Sequence, residues 1–388
     1  MCKIEIMKKC ELSDLLSFLN LVFSGAENSN YFEKALPKAW IDDDEHMEKH
    51  LCIKENGKIL AVLGIYPYEV YIGEQKFTFA TVGNMAVSEE ARGRGYMGKL
   101  YEMSDRILKE KNIDAARLGG LRSRYNRFGY EYGGNVYNAT ITRHNAENYL
   151  KKQGTKKYSF KKLDIADNEI IKKAREFYYK NVIRAERDND KDFIDVLSAW
   201  SCTPYAALSE NGDFAGYFTV YPNGVDIPEQ NGVCETTTVE FICQYLLETN
   251  NRQVKLSVFP WQTKLCQLLS SFCEYFSSDY ASQFKILNWE GIVEALLQAK
   301  ANLTNLIDGQ LTIGIEGYGN LEIKVENQIP SCKKRKITPD IKLDGLSATR
   351  FIFGHISPMM VSDVPSGKSA FVQSIFPLPL SWNNQDRL

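Results

Sequence analysis

Residues 82–98, VGNMAVSEEARGRGYMG, bring together residue types suited to holding an anion. An apolar strand, Phe79 to Val87, runs into an acidic turn and then into Arg92-Gly93-Arg94-Gly95-Tyr96-Met97-Gly98, ahead of the helical pattern LYEMSDRILKEK. Glycine lets a backbone approach a phosphate closely, first-turn N–H groups lack intrahelical acceptors, and the helix dipole favours negative charge there. Arg92 and Arg94 add charge-assisted hydrogen bonds to that expectation. The pattern calls for a ligand carrying a diphosphate. Its form is neither the G-x-x-x-x-G-K-S/T of a nucleotide-hydrolysing loop nor the G-x-G-x-x-G that opens a dinucleotide-binding unit.

A second group stands downstream, Ser123-Arg124-Tyr125-Asn126-Arg127-Phe128-Gly129-Tyr130, after a strand candidate, Asp114 to Leu118, and Gly119-Gly120. A phenol with an ordinary pKa of about 10 keeps its proton at neutral pH and can give it to a departing group. Arg92-x-x-Gly95 after a strand, followed by Tyr-x-Arg-Phe-Gly-Tyr, resembles the pyrophosphate loop and catalytic segment of GNAT-superfamily acetyltransferases. Within them it is most similar to the enhanced-intracellular-survival (Eis-type) family. Met97 departs from the Gly or Ala usual at that place in the family. The resemblance implies acetyl-CoA (acetyl-coenzyme A) as co-substrate. Arg92, Gly93, Arg94, Gly95, Tyr96, Met97 and Gly98 would then hold the pyrophosphate, and Met85, Ala86 and Val87 the pantetheine arm. A backbone N–H near Met85 would serve the thioester oxyanion, and Tyr125 would protonate the coenzyme thiolate.

The elements that must position these groups are legible in outline. MCKIEIMKK reads as a strand, and SDLLSFLNLVFSG as a helix with Ser13 or Asp14 as N-cap. Residues 51–55 and 58–66 form a predicted hairpin through Asn56-Gly57, and Tyr68 to Ile72 and Lys76 to Val87 extend the sheet. ENGKILAVLGIYPYEVYI (55–72) lines up without a gap with ENGDFAGYFTVYPNGVDI (210–227), as one unit used twice would. The same register sets Leu247-Glu248-Thr249-Asn250 against Arg92 to Gly95, so the second copy should lack the anion turn. From about residue 286 an amphipathic helix, ILNWEGIVEALLQAKANL, precedes a strand pair, a solvated charged turn KKRK (333–336), and a strand-then-helix ITPDIKLDGLSATRFIFG. That last part resembles sterol-carrier-protein-type domains, notably at Pro339-Asp340-Ile341-Lys342-Leu343-Asp344 and Leu346-Ser347-Ala348. The expected fold class is α/β with α+β mixed sheets. The resemblance implies tandem GNAT (acyl-CoA N-acyltransferase) domains, a catalytic one at 1–145 and a degenerate one at 146–285, and a sterol-carrier-like α+β domain at 286–388.

Composition narrows the function classes. A chain of 388 residues exceeds one core, and 47 basic against 49 acidic residues give a net charge near −2. Nothing there favours nucleic acid or a membrane surface as partner. No run approaches the roughly eighteen apolar residues of a membrane span, and MCKIEIMKKCELSDLL lacks the apolar core of a secretion signal. Nine cysteines without regular spacing fit reduced thiols and a cytoplasmic location. His46 and His50, inside DDDEHMEKH, have metal-ligand spacing but read as a solvated helix face, and no metal is expected.

The resemblance also implies a mechanism: a primary amine attacks the acetyl thioester directly in a ternary complex. Its base would be the chain's terminal carboxylate, here Leu388, with Glu89, Glu90 or a water chain as alternatives. The apolar, proline-stiffened run Phe371 to Trp382 should be packed, which favours an ordered tail reaching the site. A cationic acceptor such as an aminoglycoside, a polyamine or a lysine side chain would want carboxylates and aromatic faces, and the resemblance implies Glu27, Trp40, Asp42 and Asp386 as its candidate contacts. A hexamer is implied by the family alone. The rival function is a non-catalytic protein that senses acetyl-CoA or carries a lipid.

Overall fold

The computed structural model describes residues 3–25, 30–154 and 156–386, which form a mixed α/β fold built on three sheets. The chain begins with β1 (Ile4–Ile6), α1 (Leu12–Ser24), α2 (Tyr31–Ala35), α3 (Asp44–Met47), β2 (His50–Glu55), β3 (Lys58–Ile72) and β4 (Gln75–Val87). α4 (Tyr96–Glu110), β5 (Ala115–Leu118), α5 (Arg122–Tyr125) and β6 (Glu131–Thr142) follow. β1–β2–β3–β4 pair antiparallel, the last three through hairpins and β1 across the three helices, and β5 returns parallel to β4 after α4. The β2–β3 turn is Asn56-Gly57, both at positive φ (52° and 79°), as a two-residue hairpin requires.

Two local expectations are corrected here. α1 begins at Leu12 behind a 3-10 turn at Lys9–Glu11, so its N-cap is Glu11 rather than Ser13 or Asp14. Strand β3 runs unbroken through Tyr66-Pro67 to Ile72. The Ile65 N–H donates to Lys49 O, away from β4; Pro67, two residues on, lacks its N–H on that same side. There the sheet edge is open, between the end of β2 pairing at Gly64 and the pairing with β8 (Ile183–Ala185) that begins at Val70.

The middle of the chain contributes α6 (Arg143–Gln153), β7 (Tyr158–Lys162), α7 (Asn168–Tyr178), β8, α8 (Asp190–Leu197), β9 (Thr203–Ser209) and β10 (Phe214–Val220). It continues with β11 (Asp226–Ile227), β12 (Glu229–Gly232), α9 (Glu235–Glu248), β13 (Gln253–Val258), α10 (Thr263–Ser270) and β14 (Tyr275–Ile286). Strands β12–β10–β9–β7 make an antiparallel sheet, whereas β8, β11, β13 and β14 join the first sheet. β14 inserts between β5 and β6, pairing antiparallel with both. The ungapped repeat register fails past the shared strand. β12 has four residues where β4 has thirteen, so the second strand-to-helix turn falls at Val233-Cys234, while Leu247–Asn250 straddles the end of α9.

The last part holds α11 (Trp289–Ala301), β15 (Gly309–Ile315), β16 (Gly319–Glu326), β17 (Ile329–Arg335), β18 (Ile341–Leu343), α12 (Gly345–Phe353) and α13 (Ser369–Ile375). Sheet β17–β16–β15–β18 is closed by the parallel pair β15–β18. Lys333 to Arg335 lie in β17 rather than in a turn, exposed beside β16, where Glu322 faces Lys333 in register. One apolar core joins this part to the first sheet, through Phe79, Phe284, Trp289, Leu296, Phe351, Phe353, Phe376 and Trp382.

The tail is part of that core. Phe371, Val372, Ile375, Phe376, Leu378, Leu380 and Trp382 are buried. The Asn135 N–H donates to Leu380 O (2.8 Å), and Gly134 (φ 71°) has no room for a Cβ, which would sit 2.8 Å from that oxygen. Beyond Trp382 the tail ends in buried charge. Arg187 donates through Nε to Asp386 (3.0 Å) and through both terminal nitrogens to Glu229 (2.9 and 2.7 Å), all three side chains at most 6% exposed. The Tyr217 hydroxyl donates to Glu229 (2.7 Å), Asn383 donates to the same carboxylate, and Gln385 donates to the carbonyls of Val196, Leu197 and Ala199.

Among the described residues, no helix is long and apolar enough to cross a membrane, and no group of three or more His, Cys, Asp or Glu is clustered to hold a metal ion. Removing one member of a buried charge cluster leaves the rest desolvated and unpaired. Arg187→Met should therefore lower unfolding free energy by about 3–5 kcal/mol and release the tail to protease. Urea denaturation with limited proteolysis tests this; a loss below about 1 kcal/mol with a resistant tail would contradict it.

Candidate active site

Strands β4 and β5 are hydrogen-bonded only over Phe79–Thr81 and Ala115–Arg117. Past Thr81 they part, and β4 kinks at Asn84, whose φ of 53° marks the irregular register between β3 and β4. The kink is held from the neighbouring strands. Asn84 Nδ2 donates to the Tyr66 hydroxyl, whose oxygen lies 2.8 Å from His50 Nε2. Gly64 makes room for this: a Cβ there would meet the Tyr66 ring at 2.4 Å. His50 is thus a buried strand residue stacked on Trp40 (centroids 5.8 Å apart), not part of a solvated helix face. His46 pairs with Asp43 (2.7 Å) instead. Trp40 donates to the Phe32 carbonyl (2.9 Å) and packs in the core beneath α1.

Two cavities open in the gap and share Phe23, Met85 and Arg124. The larger, about 800 Å³, is lined by Met85, Ala86, Val87, Ala91, Arg92, Gly93, Gly95, Tyr96, Met97, Gly98, Arg124 and Arg127. Gly93 (φ 80°) and Gly95 (φ 74°) take left-handed conformations that shape the turn, and the first α4 bond closes from Lys99 N to Gly95 O (3.2 Å). A Cβ on Gly93, Gly95 or Gly98 would meet nothing within 4 Å. The turn's backbone therefore faces open space, as an anion cradle must.

Nine of the ten residues read as coenzyme-binding line this cavity; Arg94 does not. Its guanidinium turns to Glu55 (3.1 and 3.3 Å), which also accepts from the Tyr96 hydroxyl (2.8 Å). That carboxylate on β2 holds it off the cleft. Arg124 and Arg127 take the place on the opposite wall, Arg127 donating toward Met97 Sδ (3.7 Å). The sequence shows both within Ser123 to Tyr130, where neither was assigned a role.

The smaller cavity, about 260 Å³, continues past the kink and is lined by Thr81, Asn84, Met85, Arg117, Tyr125 and aromatic side chains including Phe32, Tyr101 and Trp200. Tyr125, 7% exposed, packs on Tyr101 (centroids 5.9 Å apart) and on Gly120, where a Cβ would meet its ring at 2.6 Å. Trp200 comes from the middle of the chain with φ at 61°, a strained backbone whose preceding carbonyl, Ala199 O, accepts from Gln385 of the tail. Arg117 is 1% exposed and lies beneath Trp382 (4.8 Å to the ring centroid). Its Nε donates to Thr81 (3.2 Å) and Nη2 to the carbonyl of Asp386 (3.1 Å). A lone cation inside the apolar strand AARL was the signal available in the sequence.

Other sequence candidates fall elsewhere. Asp386 is bonded to Arg187 and Tyr178, anchoring the tail, and it lines a cavity of about 520 Å³ with Glu69, Glu186 and Asp188 that is separate from the one holding Tyr125. Asp42 is exposed on the segment before α3. Glu89 and Glu90 sit on an exposed 3-10 turn, paired with Arg92 (3.6 Å) and Lys58 (2.7 Å), and neither lines the cavity holding Tyr125. Glu27 and Leu388 lie outside the described residues.

Burial lowers the His50 pKa from 6.5 to about 4. A group protonated more readily in the unfolded chain favours unfolding as pH falls between those values. Stability should therefore drop from pH 6.5 to 4 by up to about 3 kcal/mol from this residue. His50→Gln should flatten that part of a urea-measured stability–pH profile; an unchanged slope would remove His50 as its source.

Residues 3–133 match the family model described as acetyltransferase (GNAT) domain. None of the curated proteins matches the sequence. Solved structures match over nearly the whole chain. A GCN5-related N-acetyltransferase from Kribbella flavida superposes with a TM-score of 0.66 at 14% identity, covering 98% of each chain. An Enterococcus faecalis V583 protein described as a probable N-acyltransferase gives 0.66 at 15% identity, covering 98% of this chain and 97% of its own. Eis1 from Mycobacterium abscessus gives 0.65 at 13% identity, covering 100% of both. At such identities the likeness is one of fold. The glycine-rich turn and the parted strands both lie within residues 3–133, the stretch that is similar to the GNAT acetyltransferase domain.

Proposed function

We propose that the chain is an N-acetyltransferase that moves an acetyl group from acetyl-CoA to a primary amine by direct attack in a ternary complex. One observation carries the reading: the glycine-rich cradle and the Tyr125 cavity meet at Met85, on the kinked strand. The coenzyme supplies an activated thioester. Backbone of Gly93 to Gly98, with Arg92, Arg124 and Arg127, holds its phosphates, and β4 from Met85 to Val87 lies along its pantetheine arm. In the reaction the amine nitrogen bonds the acetyl carbon, the C–S bond breaks, and Tyr125 gives its proton to the sulfur. The backbone N–H near Met85 donates to the oxygen that gains charge.

The tail completes the site in this reading. Its anchorage up to Asp386, beside Arg117, supports a role for the residues beyond it in taking the amine proton, with Leu388 as the proposed bearer. We assign residues 146–285 to a degenerate GNAT-like domain, which the strand–strand–strand–helix order β9, β10, β12, α9 without a glycine–arginine turn supports. Residues 286–388 are the sterol-carrier-like domain. The assembly is a cytoplasmic hexamer by the same resemblance.

Thiol release from acetyl-CoA with an amine panel tests the activity; no release with any amine would overturn it. Tyr125→Phe should lower kcat by about 10²-fold while leaving coenzyme affinity unchanged. Arg127→Ala should weaken coenzyme binding by about tenfold, and Arg94→Ala far less, because Glu55 holds Arg94 away. Calorimetry separates them, and equal effects would undo the assignment of the cradle's cations. Deleting Arg387 and Leu388 should abolish turnover while sparing coenzyme binding; full activity would move the base to an internal group.

A further inference from the structure

The segment that bears Tyr125 leaves the sheet on one side of β14 and returns on the other. β5 pairs with β14 as far as Leu118 and Gln283, and β6 pairs with it from Glu131, opposite Phe284. Residues 119–130 therefore have to cross β14. Two strand spacings are roughly 10 Å, whereas an extended chain of that length reaches about 40 Å, so the connection has slack to take up. α5 and the 3-10 turn at Asn126–Phe128 coil part of it. Coiling alone does not fix where the phenol stands.

Two side chains of β14 pin the coil at both ends. Gln283 and Lys285 stand at alternate positions and so share one face of the strand, while Phe284 between them joins the apolar core on the other. Gln283, 1% exposed, donates through Nε2 to Gly120 O (2.6 Å), ahead of Tyr125. Lys285 Nζ donates to Phe128 O (2.9 Å), behind it. The next residue, Gly129 (φ 86°), keeps that approach open, since a Cβ there would come 3.3 Å from Lys285 Cε. The same ammonium pairs with Asp105 of α4 (2.6 Å), one turn beyond Tyr101, the ring on which Tyr125 packs. Lys285 thus sets α4 against the turn behind Tyr125, and Gln283 sets the turn ahead of it. Both come from the middle of the chain, 157 and 163 residues past the carbonyls they hold.

We propose that β14 is the strand that places the Tyr125 phenol, with Lys285 and Gln283 as positioning residues, so that the part of the chain without a glycine–arginine turn still completes the site. The inference rests on the acetyltransferase reading, in which Tyr125 gives its proton to the departing sulfur. A proton donor has to stand within hydrogen-bond reach of the atom it serves, and a misplacement of about 1 Å can cost on the order of 10²-fold in rate. Neither Lys285 nor Gln283 is among the described lining residues of the two cavities, so their effect on the reaction passes through Tyr125.

The test uses the full chain, acetyl-CoA and the amine it accepts best. Lys285→Met and Gln283→Met should each lower kcat by about tenfold or more, with KM for acetyl-CoA held within about twofold. In a Tyr125→Phe background either substitution should cost less than about twofold further, because no phenol remains to be misplaced. A general loss of structure would instead lower kcat by the same factor in both backgrounds, and that additivity would overturn the proposal. So would an unchanged kcat in the single variants; one variant decides if the other does not fold. Amide hydrogen exchange keeps the two readings apart. It should quicken across residues 119–130 in each variant and stay unchanged in β3. A wild-type chain that acetylates no amine would sink the acetyltransferase reading, and quickened exchange would still assign the hold on Tyr125 to β14. Unchanged exchange across 119–130 would sink that hold whatever the activity.

Discussion

The rest of the structure depends on one constraint: β4 and β5 stay paired only as far as Thr81 and Arg117. A parallel pair that continued would seal the sheet and leave no room for a ligand. Its early end opens a wedge whose two walls are strand backbone, and the left-handed turn at Gly93 and Gly95 closes the wide end. The last paired residues are themselves joined, Arg117 Nε to Thr81 Oγ1, so the point of divergence is fixed by a side-chain hydrogen bond as well as by backbone.

That same arginine ties the wedge to the remainder of the chain. Arg117 holds the tail through Asp386 O and lies under Trp382; Asp386 in turn holds Arg187 beyond β8, and Arg187 holds Glu229 on β12. Parts of the chain more than two hundred residues apart therefore share one buried charge cluster. Such clusters are poor sources of net stability, since desolvation offsets most of the attraction, but they strongly penalise any arrangement that separates their members. Here the penalty specifies where the tail sits. It also brings Trp200 to the cavity, because Gln385 secures the carbonyls at the end of α8 and its following turn.

The kink at Asn84 shows how positioning extends outward from the site. A non-glycine residue at positive φ is costly unless its surroundings hold it. Asn84 is held by Tyr66, Tyr66 by His50, and His50 lies under Trp40, so four residues from three strands and the segment before α3 define where Met85 presents its backbone. The expectation of a solvated histidine pair failed for this reason. DDDEHMEKH is acidic and helical only as far as Met47, and the chain is already in β2 at His50.

The sequence by itself determined what local rules govern. The glycine–arginine turn between a strand and a helix, the Asn56-Gly57 hairpin, the α11 and α12 helices and the apolar tail were legible because backbone freedom, turn chemistry and periodicity act over a few residues. Tertiary structure decided what depends on partners far away in the chain. It turned Arg94 onto Glu55 and off the cleft, buried Asp386 against Arg187, set β14 between β5 and β6, and put Arg117 and Arg124 in the wall of one cavity with no Asp or Glu among its described lining residues. A side chain's charge is written in the sequence. Whether that charge is spent on a neighbour or left for a ligand is set by which strands the fold makes adjacent.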